Sequence, residues 1–221
     1  MTPSLSRRQI DRSGNGPMPS PRTPDWLPMV AGRGQLQNNE GVQEQIAFDR
    51  LLLRPLWVGD IDLLVELDSD HEVMRFLTGR PSATAEVEAA IRDNLGHRWI
   101  ALDRASGEFV GWFGLVPIGD DAFEFGYRLM RRWWGLGLAT EGARAMIDEA
   151  FTMRGVTRVA AQTMAVNQRS RRVMERCGMR YLRTFHLDFE DPLSGTEHGE
   201  GEYEPIIDEW RSSPVRRRSR P

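Results

Sequence analysis

The 221-residue sequence contains no lysine; all 29 of its basic residues are arginines. A Walker-type phosphate loop needs its lysine on the phosphates, and Schiff-base catalysis needs a protein amine, so both chemistries are excluded. Cysteine is almost as scarce. Cys177 stands alone, which rules out an intrachain disulfide and a multi-cysteine zinc site. The four histidines, His71, His97, His186 and His198, are scattered without helical pair spacing, so no metal is expected. No apolar run approaches the roughly 20 residues that span a bilayer. Arg7 and Arg8 are followed by Gly, Pro, Ser and Asn rather than by the apolar core of a signal peptide. A cytoplasmic protein without a membrane partner is expected. The net charge of -3 also gives no reason to expect a nucleic-acid binder.

What is present is an ordinary globular composition, 40% hydrophobic and 28% charged, enough for one domain. Residues 1–45, rich in Pro, Gly, Ser, Arg, Asn and Gln without apolar periodicity, are expected to be a disordered arm. Residues 212–221, with Arg216, Arg217, Arg218 and Arg220, are expected to be a solvated Arg-rich tail. The domain proper is assigned to residues 46–211.

Within it the elements alternate. Arg50–Pro55 is a short strand. Ser69 or Asp70 can cap a helix with Val73, Met74 and Leu77 inward, and Thr84 a second with Val87, Ala90, Ile91 and Leu95. Residues 99–102 and 108–116 form strands joined by an Asp103–Gly107 turn. Between Phe123 and Met130, Phe123, Phe125, Tyr127 and Leu129 alternate with Glu124, Gly126 and Arg128, as a strand with two unlike faces requires. Ala139, Ala143, Met146, Ile147 and Ala150 then make the strongest helical stripe in the chain, with Gly155 as its stop. Residues 157–166 are β-rich, and Asn167 opens a helix that faces Val173, Met174 and Cys177 inward and ends at Gly178. Residues 179–187 and 203–210 are the final strands, around an acidic loop.

The segment Arg132-Trp133-Trp134-Gly135-Leu136-Gly137-Leu138-Ala139-Thr140 lies between a strand and a long helix, and a second strand follows. Such a unit normally makes parallel neighbours through a right-handed crossover. Glycines at the corner let backbone approach a ligand, and the free N–H groups of a helix start attract an anion such as pyrophosphate. A dinucleotide fingerprint fits badly, because Thr140 replaces its third glycine and no acid ends the next strand.

The pattern resembles motif A of the GNAT superfamily of N-acetyltransferases, Arg/Gln-x-x-Gly-x-Gly/Ala, at Arg132, Gly135 and Gly137. The wording WWGLGLATEG is similar to the RimJ/RimL branch. A second block, Asn167, Ser170, Val173, Glu175, Gly178 and Met179, resembles that branch's N-x-x-S-x-x-V-x-E-x-x-G-F, with methionine for the last aromatic. The likeness extends from about Phe48 to Trp210. It implies an α+β fold, an α/β/α sandwich on a mixed, mostly antiparallel sheet of about seven strands, with the parallel β-α-β unit at the acetyl-CoA site.

It further implies acetyl-CoA as co-substrate, bound by Leu129, Met130, Arg132, Gly135, Leu136, Gly137, Leu138, Ala139, Thr140, Asn167 and Arg171. Glu124 corresponds to the general base found on the strand before motif A, and Asn167 to the asparagine at the pantetheine or reacting amine. Ser170 corresponds to a hydroxyl that protonates the departing thiolate. Many relatives carry a tyrosine about four residues later, where this chain has Met174, so serine and water stay open as the acid. Glu124 can equally be a solvated strand residue, Ser170 a local hydrogen-bonding residue and Asn167 a helix cap. The tryptophans at 133 and 134 are expected to wedge the corner, and Cys177 to pack. The acidic stretch Asp188–Glu204 can draw in a cationic acceptor through Glu197, Glu200 and Glu202. The expected activity is transfer of acetyl to a primary amine, such as a protein N-terminus, an aminoglycoside or another small amine. A non-catalytic acyl-CoA-binding module is the alternative, and a role of the arginine tail at RNA a weaker one. A homodimer stays open.

Overall fold

The computed structural model describes residues 9–10, 45–152, 156–205 and 210. In chain order the elements are β1 (Gln9–Ile10), β2 (Ile46–Ala47), β3 (Leu51–Pro55), α1 (Ile61–Ser69), α2 (His71–Met74), α3 (Thr84–Asp93), β4 (Arg98–Asp103) and β5 (Phe109–Pro117). There follow β6 (Ala122–Leu129), α4 (Leu138–Thr152), β7 (Arg158–Met164), α5 (Gln168–Arg176), β8 (Met179–Phe185), β9 (Asp188–Phe189) and β10 (Glu200–Pro205). Eight strands make one sheet in the order β2-β3-β4-β5-β6-β7-β10-β8. Only β6 and β7 are parallel in it. The α+β sandwich anticipated from the sequence is therefore present, and the two-residue β2 makes its strand count eight rather than seven. Gln9 and Ile10 pair separately with Phe189 and Asp188. The remainder of the predicted arm, the stop at Gly155 and the arginine tail lie outside the described residues.

Each face of the sheet has its own helical layer. Phe123, Phe125 and Leu129 point from β6 into a core with Leu138, Ala143, Met146, Ile147 and Ala150 of α4, and with Met174 of α5. Strand alternation meets the helical stripe there. The opposite face is covered by α1, α2 and α3, whose Leu64, Leu67, Val73, Met74, Val87 and Ile91 pack on Ile100 and Trp112.

Several boundaries differ from the sequence expectation. The helix α1 was not anticipated; its run Ile61-Asp62-Leu63-Leu64-Val65 looks like a short apolar segment, and two buried leucines, Leu64 and Leu67, three apart fix it as helix. Asp70 does cap α2, its carboxylate accepting from the N–H groups of Glu72 and Val73. The cap of α3 is Ala83 rather than Thr84. An alanine side chain accepts nothing, so Glu86 satisfies that end by accepting from the Ala83 N–H at 2.8 Å. The strand at 179–187 ends at Phe185. The last strand begins at Glu200, not Tyr203, and residues 206–209 lie outside the described residues. Glu202 can be buried there because Arg158 and Arg183 bind its two oxygens, at 3.0 and 2.6 Å. No group of three metal-binding side chains occurs among the described residues, and none of their helices is long and apolar enough to cross a membrane.

Candidate active site

The parallel ladder between β6 and β7 lasts for three residue pairs, Ala122–Arg158, Phe123–Val159 and Glu124–Ala160. Beyond Glu124 the strands part. β6 continues against β5 as far as Gly111–Leu129, while β7 continues against β10 as far as Met164–Glu200. A wedge therefore opens in the sheet. Because backbone groups alternate sides, and the Met130 N–H already donates to Val110, the polar groups of Phe125, Tyr127 and Leu129 face the wedge.

The glycine-rich corner stands at the wide end. A 3-10 turn at Arg131–Trp133 leads out of β6, and Gly135 and Gly137 adopt φ of 78° and 84°, which a side chain would resist. Trp133 and Trp134 brace the turn through indole N–H bonds to the carbonyls of Phe109 and Leu129, at 2.9 and 2.8 Å. The first bond of the helix is Glu141 N–H to the Gly137 carbonyl. Among the described residues no acceptor meets the N–H groups of Gly135, Leu136, Gly137, Leu138, Ala139 or Thr140. Six unpartnered donors at a positive helix end make a cradle for a diphosphate.

Arg50, which sequence reasoning passed over, holds this corner in place. Its Nε and N–H bind the two oxygens of Glu141 at 2.8 Å, and its Nη1 binds the Leu136 carbonyl at 2.7 Å. A carboxylate in the first turn of α4 would otherwise repel a phosphate; the guanidinium neutralises it and fixes the loop from across the sheet. The contact spans 91 residues, and no local pattern signals it.

The second block meets the first here. Asn167 caps α5, its Oδ1 accepting from Ser170 N–H at 3.2 Å, which leaves its Nδ2 donors without a described acceptor. The Ser170 side chain lies close enough to the hydroxyl of Tyr127 on β6 to influence its ionisation. Burial pushes the Tyr127 phenol up to about 12, against the opposing influence of Ser170, so it stays protonated at neutral pH. Arg169 lies over the Trp134 ring at 5.0 Å. The start of α5 thus borders the wedge and the glycine-rich corner together.

Not every predicted residue is aimed there. Arg171 donates to the Tyr203 hydroxyl at 2.7 Å and to the Ala165 carbonyl at 3.2 Å, so it fastens α5 to β10 and the end of β7. Arg169 is the arginine at the corner. The Arg132 side chain reaches Glu66 and the Phe109 carbonyl, both at 3.3 Å, away from the free N–H groups. The Leu129 carbonyl is held by Trp134 and the Met130 N–H by Val110, so neither group is available to a ligand. Cys177 is buried, and burial pushes its thiol up to about 11, which suits packing rather than nucleophilic attack.

Glu124 sits where the wedge begins, on the face opposite Tyr127. Register carries Ala160, Gln162 and Met164 of β7 onto the Glu124 face, with Glu200, Glu202 and Glu204 beside them on β10. Glu202 is 5% exposed between its arginines, Glu204 binds Arg158, and Glu197 accepts from the Gly195 N–H. Of these carboxylates, Glu200 stands at the open end of the ladder, opposite Met164, on the face that carries Glu124. The loops after α2 and after β9 meet above this face, with Leu193 against Gly79 and Gly195 against Met164 and Val166.

Comparison with known proteins agrees with this geometry. The acetyltransferase (GNAT) domain family matches residues 50–180. The chain is 34% identical over 183 residues to FsC-acetyl coenzyme A-N(2)-transacetylase of Aspergillus fumigatus, covering 73% of this chain and 75% of that protein. It is 43% identical over 150 residues to the uncharacterized protein YkkB of Bacillus subtilis, covering 63% and 87%. The fold superimposes on spermidine N-acetyltransferase from Vibrio cholerae, solved with CoA and spermine, with a TM-score of 0.64 at 18% identity, over 75% of this chain and all of that one. With a cradle of free peptide N–H groups beside a parted parallel strand pair, and with this family match over most of the folded domain, the chain belongs to the GNAT family of acetyl-CoA-dependent N-acetyltransferases.

Proposed function

We propose that this protein transfers acetyl from acetyl-CoA to a primary amine by direct attack in a ternary complex. The observation that carries the proposal is the wedge beyond Glu124, with free N–H groups at its wide end, Asn167 and Ser170 on one flank and two carboxylates on the Glu124 face. In this reading Gly135 to Thr140 hold the diphosphate and the inward backbone of β6 aligns the thioester arm. The thioester supplies an activated acetyl group, so positioning accounts for most of the rate.

Alkyl amines are protonated at neutral pH, so a base is needed. Glu124, directly or through water, takes that proton, and Glu200 across the wedge attracts the ammonium form. The departing sulfur receives a hydrogen bond from Ser170, beside which the Tyr127 phenol lies. Tyr127 thereby supplies from the strand a phenol that relatives place at the position of Met174. The wording of both sequence blocks supports the RimJ/RimL-like branch, and the names of the two characterised relatives support transfer to nitrogen.

The test is thiol release over an amine panel, with acetyl-CoA binding followed separately by calorimetry. Glu124→Gln should lower kcat/KM by roughly 10²–10⁴-fold near neutral pH and flatten its rise with pH. Wild-type rates at every pH would remove Glu124 as base. Binding without turnover on any amine would instead favour an acyl-CoA-binding module. Glu200→Gln should raise KM for cationic acceptors without weakening acetyl-CoA.

A further inference from the structure

Arg98 opens β4, and register places Arg98, Gly114 and Gly126 in one line across β4, β5 and β6, on the face that carries Glu124. Two glycines in that line leave space above the sheet, and the Trp112 indole leans across it. A Cβ at Gly114 or Gly126 would stand 3.5 or 3.8 Å from that ring. The Arg98 guanidinium lies over the indole at 4.1 Å, and Arg128 approaches the same ring at 5.4 Å.

The guanidinium groups of this cluster are incompletely hydrogen-bonded. Arg98 is 6% exposed, and among the described residues its guanidinium meets the Trp112 ring rather than a hydrogen-bond acceptor. Arg128 bonds to Asp68 through Nη1, and its Nε is buried without a partner. Asp68 bonds to Arg128 alone; Asp68 and Asp93 act on Arg98 only through space. Burial and the neighbouring Arg128 push the Arg98 pKa down to about 9, which still leaves it charged at neutral pH. Buried guanidinium groups normally find acceptors, because losing water without replacement is costly. Guanidinium donors without an acceptor, on the face that carries Glu124, therefore point to an acceptor group brought by a ligand.

We propose that Arg98, stacked on Trp112 and flanked by Arg128, binds a carboxylate of the acceptor. The substrate class is then an amine carrying a carboxylate several bonds from the reacting nitrogen. This rests on the acetyl-transfer reading, which puts the amine at Glu124. Arg98 and Gly126 are two strands apart, about 10 Å between Cα atoms, and Glu124 lies two residues further along β6. An α-amino acid, with both groups on one carbon, is too short to reach both ends. An ω-amino acid or a short peptide with a free C-terminus is not.

The experiment compares acids with their neutral amides as acceptors: 4-aminobutyrate, 6-aminohexanoate and triglycine against 4-aminobutyramide, 6-aminohexanamide and triglycinamide. At the fitting length the wild-type protein should show a KM at least about tenfold lower for the acid, since a charge-assisted, partly buried contact is strong. The peptide and the two small acids distinguish the source of the carboxylate. Arg98→Met should bring the acid-to-amide ratio close to one, and Arg98→Lys should retain part of it. A wild-type ratio near one at every length, or a preference that survives Arg98→Met, overturns the proposal. If no amine is acetylated although acetyl-CoA binds, the acetyl-transfer reading fails instead. Calorimetry of 6-acetamidohexanoate on the CoA-loaded protein then decides the subsite: binding that Arg98→Met abolishes supports it, and no binding overturns it.

Discussion

The two faces of the central sheet are built on opposite terms. Beneath α4 and α5 the core is apolar and aromatic, with Phe113, Phe125 and Tyr127 stacked at ring distances of 6.0 to 6.5 Å. Beneath α1, α2 and α3 the apolar residues are interrupted by buried Asp60, Asp68, Asn94 and Arg98. Asp60 is answered by Arg54 and the Trp57 N–H, whereas Asn94 Oδ1 and Arg128 Nε find no partner among the described residues. The first face keeps a ligand corner rigid with packing and main chain. The second keeps polar side chains inside at the cost of stability.

The largest effect should come from breaking the polar face. Asp68→Ala leaves Arg128 buried beside Arg98 without its carboxylate and should cost about 3–5 kcal/mol in urea unfolding. On the apolar face, Gly142→Ala drives a Cβ to within 2.1 Å of the Phe113 ring, and about 1–3 kcal/mol should be lost. A similar cost on both faces would erase the distinction.

The corner itself gives a finer comparison. Gly135→Ala and Gly137→Ala both force a side chain to positive φ, at about 1–2 kcal/mol each. A Cβ at Gly135 meets open space, while one at Gly137 stands 3.3 Å from Arg50 Nη2. Gly137→Ala should therefore raise KM for acetyl-CoA by roughly tenfold and exceed the effect at Gly135. Equal effects would mean that Arg50 does not position the loop.

The smallest effect belongs to an exposed pair. Glu86 is lowered to about 2, first by its hydrogen bond from Arg80 and then by the Ala83 N–H. A depressed carboxyl stabilises the fold above its unfolded pKa and loses that contribution as pH falls from about 4.5 towards 2. Water screening keeps it small, so Glu86→Gln should cost under about 1 kcal/mol at neutral pH and nothing near pH 2. Paired unfolding curves at the two pH values check the sign.

Much of the fold was legible wherever one residue type answered one local need. The alternation from Phe123 to Leu129 gave β6, the stripe from Ala139 to Ala150 gave α4, and Asn167 followed by Ser170 gave the cap of α5. The corner was legible because free N–H groups and positive φ are properties of a few adjacent residues. Legibility ended at long-range pairing. Glu200 to Glu204 look like an acidic loop until Arg158 and Arg183, distant in sequence, neutralise the strand. Arg50 on Glu141 and Arg98 on Trp112 likewise join residues that only the folded chain brings together. Arg171, expected at the cofactor, gives its side chain to Tyr203 and Ala165, a contact that is likewise invisible in the sequence.

The parting of β6 from β7 has a mechanical consequence. A sheet with one seam left unstitched is two half-sheets hinged at three residue pairs, and each can breathe against the other. A thread-like cofactor with amides along its length would lace that seam from the glycine corner down to the hinge. Nucleotide loading should therefore stiffen amide exchange on both sides of the seam together, well beyond the atoms it touches.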